Sequence, residues 1–113
     1  MKQVAVIHTA FEDRPVTVAF VKVPDEFSAD MALEYAFQKT NNIEGSWSKP
    51  AVFEFDGKVV DNPDYCEDVI VTKPLYIDED GKEWGHRSTS VGDQMLFGTT
   101  KYVVGMAGFE ELV

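Results

Sequence analysis

Apolar residues come along this chain in short runs punctuated by Pro, Gly, Asn and Asp. The first run, Val4-Ala5-Val6-Ile7, is rich in β-branched residues and predicts a buried strand. Glu12-Asp13-Arg14-Pro15 predicts a turn, since Pro15 fixes its own φ and biases Arg14 towards extended backbone. Val16 to Val23 predicts a second strand, with Val16, Val18 and Phe20 on one face. The two strands are expected to pair as an antiparallel hairpin, which Pro24 ends.

The period then changes to that of a helix. Leu33, Ala36, Phe37 and Thr40 recur at helical spacing and predict the face that covers the sheet. Ser28 is placed as N-cap, with a hydroxyl able to accept from a free backbone N–H of the first turn, and Phe27 before it is placed to staple onto Ala32. Asp25, Glu26 and Asp30 near the start and Lys39 near the end suit the helix dipole. Asn41-Asn42 closes the helix, and Gly45 opens the loop that carries Trp47.

Short strand signals fill the remainder. Ala51 to Phe55 and Lys58-Val59-Val60 flank Asp56-Gly57, a strong hairpin-turn dipeptide. Asp61-Asn62-Pro63-Asp64 reads as irregular. Val69-Ile70-Val71 is a further apolar segment. Leu75-Tyr76-Ile77 and Glu83-Trp84 flank a second turn over Asp78 to Lys82. Met95-Leu96-Phe97 and Tyr102-Val103-Val104 flank Gly98-Thr99-Thr100, and Gly105 and Gly108 suggest a bend or bulge. The pattern predicts one α+β domain over residues 1–113: a helix on a curved, mainly antiparallel sheet, in the order β-β-α followed by short strands. A β-grasp-like arrangement and a partly open barrel both fit.

Composition narrows the functional classes. Apolar residues make up 44% of 113, including eight Phe, four Tyr and two Trp, which is ample for one core and argues against disorder. Cys66 is the only cysteine, so neither an intrachain disulfide nor a Cys-rich zinc site is expected. Met1 to His8 is too short and too polar beyond Ile7 for a signal peptide, and no apolar run reaches bilayer length. The expected location is the cytoplasm.

Net charge is −10, and Glu54 to Glu83 alone holds ten acids against three bases. Such a balance argues against direct binding to nucleic acid or anionic membranes, where excess Lys and Arg supplies the affinity. It suits either a solvated face or a surface that attracts a basic partner by imitating nucleic-acid charge.

Candidate chemistry is sparse. Aligning Gly81 of Asp78-Glu79-Asp80-Gly81 with the glycine of a calcium loop puts Tyr76 at the first ligand position and Arg87 at the last, and neither supplies the oxygen a hard cation needs. His8 and His86 are the only imidazoles and lack zinc spacing. No Gly-x-Ser-x-Gly elbow or phosphate loop occurs. No metal, cofactor or catalytic residue is therefore expected.

One stretch stands out. His86-Arg87-Ser88-Thr89-Ser90-Val91-Gly92-Asp93 sets an arginine and three hydroxyls between strand segments. It fits a contact surface, with the guanidinium fork and hydroxyls as donors. It also fits a tied turn in which the hydroxyls bind their own backbone and Arg87 pairs with an acid such as Asp93. Trp47 is either an exposed anchor or a plug that closes the core. Trp84 and Tyr76 sit among acids, which suits contact with Arg-rich surfaces.

Asn41-Asn42-Ile43-Glu44-Gly45-Ser46-Trp47 and Arg87-Ser88-Thr89-Ser90-Val91-Gly92-Asp93, followed by Tyr102-Val103-Val104 and Gly108 to Leu112, resemble a family of small uncharacterised proteins of bacteriophages and bacterial mobile elements. The resemblance spans the helix and the C-terminal third, not the acidic middle. It brings no activity or site residue, but implies a phage-encoded accessory protein in a host cytoplasm.

The leading expectation is thus a non-enzymatic accessory protein that binds a host or phage protein, as an acidic inhibitor in one version. Its partner-binding residues are expected to be Arg87, Ser88, Thr89, Ser90, Asp93, Trp47, Asp78, Glu79, Asp80 and Trp84. The alternatives are a small ligand-binding protein or enzyme at the Arg87–Asp93 loop, with His86 or Asp93 as acid–base, and a virion assembly protein. Homodimerisation through a free sheet edge fits all three.

Overall fold

The computed structural model describes residues 1–112. Ten strands and one helix follow in the order β1 (Lys2–His8), β2 (Val16–Val23), α1 (Ala29–Lys39), β3 (Val52–Phe55), β4 (Lys58–Asp61), β5 (Val69–Val71), β6 (Tyr76–Ile77), β7 (Glu83–Trp84), β8 (Gln94–Phe97), β9 (Thr100–Gly105) and β10 (Gly108–Glu111). Six strands form one sheet in the order β10-β9-β8-β1-β2-β5, and every neighbouring pair is antiparallel. The sheet stays open, with β10 and β5 as its edges, rather than closing into a barrel. The hairpins β3-β4 and β6-β7 stand outside it as two-stranded sheets. Among the described residues no helix is long and apolar enough to cross a membrane.

The α+β architecture follows from one helix covering one face of this sheet. Ala32, Leu33 and Ala36 are fully buried against Val4 and Val6 of β1, Ala19, Val21 and Val23 of β2, and Met95 of β8. Each large aliphatic buried in this way contributes about 1.5–3 kcal/mol. Ser28 caps the helix as its sequence position predicts, its hydroxyl accepting from the Met31 N–H. Phe27 lies against the core edge-on to Tyr35, and Phe37 meets Phe109 of β10 in the same way.

One strand face differs from the simple alternation. Val6 pairs with Ala19 but Ile7 pairs with Thr17, so Val18 is an extra residue in β2. This bulge re-aims the strand. Val18 is buried, yet beyond it the core face is carried by Ala19, Val21 and Val23, while Phe20 turns outward. Val16, Val18 and Phe20 therefore do not form one buried face.

The Asp56-Gly57 turn forms as its chemistry requires. Both residues have positive φ, 52° and 77°, the left-handed pair that matches the twist of a two-residue hairpin. Gly105 and Gly108 flank the turn at Met106-Ala107, which joins β9 to β10.

Candidate functional site

The Arg87–Asp93 stretch packs against the end of β1 and the end of α1. Asp93 is fully buried, and its carboxylate accepts five hydrogen bonds. Oδ1 takes the Thr9 and Ala10 backbone N–H groups and Arg87 Nη2, and Oδ2 takes Arg87 Nη1 and the Ser90 N–H, all at 2.7–2.9 Å. Burial pushes the Asp93 carboxyl up, but Arg87 and the three N–H groups outweigh it and bring its pKa down to about 2.

Arg87 is correspondingly saturated. Nε and Nη2 also bind the two oxygens of Glu12, and Nη1 also binds the Ser88 carbonyl. All five guanidinium N–H donors are thus engaged within the chain. The Asp93 bond raises the Arg87 pKa, and the Arg87 bond lowers that of Glu12. The ring of Phe11, itself largely exposed, lies 4.8 Å from the guanidinium carbon.

The hydroxyls are tied as well. Thr40 Oγ1 donates to the Ala36 carbonyl, so the 2.8 Å contact between the threonines requires Thr89 to donate to Thr40. Thr89 Oγ1 can then only accept from His8 Nε2 at 3.0 Å, which makes His8 the Nε2–H tautomer. The Thr89 N–H also binds the Thr40 carbonyl, strapping the end of α1 to this loop. Ser88 Oγ accepts from the Asn42 N–H, and Ser90 Oγ donates to the Ser88 carbonyl. His86 Nε2 donates to the Lys73 carbonyl.

His8 is buried, and burial lowers its pKa to about 4 despite the opposing pull of Asp93. At neutral pH it is uncharged, so its 4.0 Å approach to Asp93 is not an ion pair. Below pH 6.5 the unfolded chain takes up a proton that the folded chain accepts only near pH 4. Stability conferred by neutral His8 is therefore fully present above pH 6.5 and falls by about 3 kcal/mol as the pH drops to 4. Urea unfolding across this window should show that slope in the native chain and lose it in His8→Gln. A nuclear magnetic resonance titration placing His8 near 6.5 would contradict the assignment.

Trp47 is 1% exposed and plugs the core. Its Nε1–H donates to the Arg87 carbonyl at 2.8 Å, and its ring meets His8 edge-on. It offers no surface to a partner. The loop that carries it is clamped by two residues in the segment read as irregular. Asp64 accepts the consecutive N–H groups of Ile43, Glu44 and Gly45, which lower its pKa against the effect of burial. Asn62 is buried and donates to the carbonyls of Ser46, Lys49 and Pro50 while accepting the Ser46 N–H. Gly45 is required by this approach, because a Cβ there would stand 2.3 Å from Asn62 Oδ1.

Asp78, Glu79, Asp80 and Trp84 lie elsewhere, on the β6-β7 hairpin. Asp78 organises its turn, accepting the Asp80 and Lys82 N–H groups and the Trp84 Nε1–H, and the Trp84 bond lowers its pKa. Between this hairpin and β3-β4 runs an open cleft of about 490 Å³ lined by Phe53, Phe55, Asp56, Asp80 and Lys82 among others. Lys49 Nζ sits 4.5 Å from the Phe53 ring centre, and Lys82 Nζ sits 4.5 Å from Trp84 and 5.6 Å from Phe55.

The ten sequence-predicted residues thus divide into a partly buried polar knot centred on Thr89 and Asp93, its Trp47 plug and an exposed acidic hairpin. No family model, curated protein or solved structure matches this chain. Sequence reasoning did not find Glu12, Thr40, Asn62 or Asp64 as members of the knot and its clamp. Only the Asn-Pro-Asp composition of residues 62–64, favourable for side-chain caps of backbone N–H groups, carried a signal.

Proposed function

We propose that this chain is a non-enzymatic accessory protein whose hairpins β3-β4 and β6-β7 bind a protein with a basic surface. The observation that carries this reading is the company of the exposed rings. Phe55, Tyr76 and Trp84 are half-exposed or more, alongside exposed Val59 and Ile77, among Glu54, Asp56, Asp80 and Glu83. Rings exposed among acids suit arginine and lysine, which gain from both the π face and the carboxylates. Lys49 and Lys82 already occupy such positions from within the chain.

The Arg87–Asp93 stretch supports the same reading by its saturation. With every Arg87 donor engaged and His8 buried and neutral, the cluster acts as a tie for the fold. The phage resemblance supplies a setting, a host cytoplasm, in which an acidic protein occupies the nucleic-acid-binding surface of a host enzyme.

Affinity capture from bacterial lysate at roughly 0.05 M and 0.5 M salt tests this. A discrete protein should be retained at low salt, lost at high salt, and lost at low salt with the pair Asp56→Lys and Asp80→Lys. Retention indifferent both to salt and to that charge reversal would overturn the proposal.

A further inference from the structure

The face of the six-stranded sheet turned away from α1 is apolar along its middle. Register and strand alternation place Ile70, Phe20, Ala5 and Leu96 side by side across β5, β2, β1 and β8. Ile7 and Val103 stand in the next row, on either side of Gln94. An antiparallel sheet with one wet face ordinarily turns polar residues outward. Here Phe20 and Ile70, on the penultimate strand β2 and the edge strand β5, are 36% and 41% exposed.

Charge on this face also departs from the rest of the molecule. Of twenty acids, Glu110 alone falls at an outward position of the sheet, together with Lys22 and Lys101. A chain of net charge −10 therefore presents one broad face that is nearly neutral, carries both signs and is apolar between them.

We propose that a second copy of the chain docks on this face, the two sheets packing face to face. A twofold contact sets a surface against itself, so it needs both signs on one patch, and this patch has them. The same contact keeps the acidic hairpins of the two copies on the outside of the pair. A strongly basic partner would be drawn to those hairpins instead, and a strongly acidic one repelled by the whole chain. Five inter-strand steps of about 4.8 Å make the face roughly 24 Å wide. With strands of three to eight residues it spans roughly 400 Å² in projection, about half of the ~800 Å² that each side of a standard interface buries, and the side chains that stand out from it add to that area.

Sedimentation of the intact chain at about 10–100 µM tests the proposal. The expected species has twice the 12.7 kDa chain mass. Its fraction should rise with salt, as screening weakens the repulsion between two copies of charge −10. Phe20→Gln and Leu96→Gln, each confirmed folded by circular dichroism, should each weaken dimerisation by about tenfold or more. Val59→Gln, on the outlying β4, should leave it unchanged. A monomer at about 100 µM in roughly 0.5 M salt would overturn the proposal. So would a dimer untouched by both sheet-face substitutions, which would point to a strand edge or the hairpins.

Discussion

Replacing Asp93 with alanine is expected to lower the stability of the folded chain by about 3–5 kcal/mol. The substitution removes the carboxylate that accepts the Thr9, Ala10 and Ser90 N–H groups, and among the described residues it leaves Arg87 with Glu12 as its one acidic partner. A buried donor without a partner costs about 1–3 kcal/mol, and a partly buried guanidinium that loses its bidentate acid adds to this. Domains of this size hold about 5–15 kcal/mol in total, so the loss is a large share. Urea unfolding should show the midpoint falling with the slope unchanged. Arg87→Ala should be costly too, and the double variant should cost clearly less than the two singles together, because both break one unit. Additive losses, or a loss under about 1 kcal/mol for Asp93→Ala, would show that the knot does not hold the fold. The acid limb follows from the same group. Asp93 stabilises fully above its unfolded pKa of 3.8, and that contribution is lost as pH falls towards its folded value of about 2.

Trp47→Ala is expected to cost a similar amount, about 3–5 kcal/mol. The ring fills the space between the end of α1, His8 and the Arg87 backbone, and its removal leaves a cavity that the clamped loop resists collapsing into. Trp47→Phe separates the two contributions. It keeps most of the volume but leaves the Arg87 carbonyl without its donor, a loss of about 1–3 kcal/mol. Fluorescence gives an independent reading, since Trp47 is buried and Trp84 half-exposed. Trp47→Ala should remove the short-wavelength part of the emission and leave the solvent-exposed part. If the short-wavelength component survived, Trp47 would not be the core plug.

The fold was legible where local pattern and tertiary need agree. Ser28, the Leu33–Ala36–Thr40 spacing and Asp56-Gly57 each carry their geometry in their own chemistry. The outward turn of Phe20 was not legible, because a bulge is decided by how β2 meets β1 rather than by β2 itself. The site behaved in the same way. Arg87 and Asp93 lie six positions apart, and that pairing could be read from the stretch. Glu12 reaches Arg87 from 75 positions away and Thr40 reaches Thr89 from 49, with nothing near them in sequence to show it. Asn62 and Asp64 looked like loop filler because side chains that cap another loop's N–H groups leave no periodic trace.

The central place of β1 also governs when this protein can exist. Its two neighbours arrive at very different times: β2 follows at once, whereas Val4 pairs with Phe97 across nearly the whole chain. During synthesis β1, β2 and α1 are complete long before β8 leaves the ribosome, so one side of β1 lacks its ladder for most of that time. Distant pairing of this kind must close a long loop before it returns any contact, which slows folding. The unpaired edge and the open apolar strip are exposed together in that interval, when association with other nascent chains is easiest. The interval of exposure is therefore set by the strand order of the sheet, and stabilising the finished fold would not shorten it.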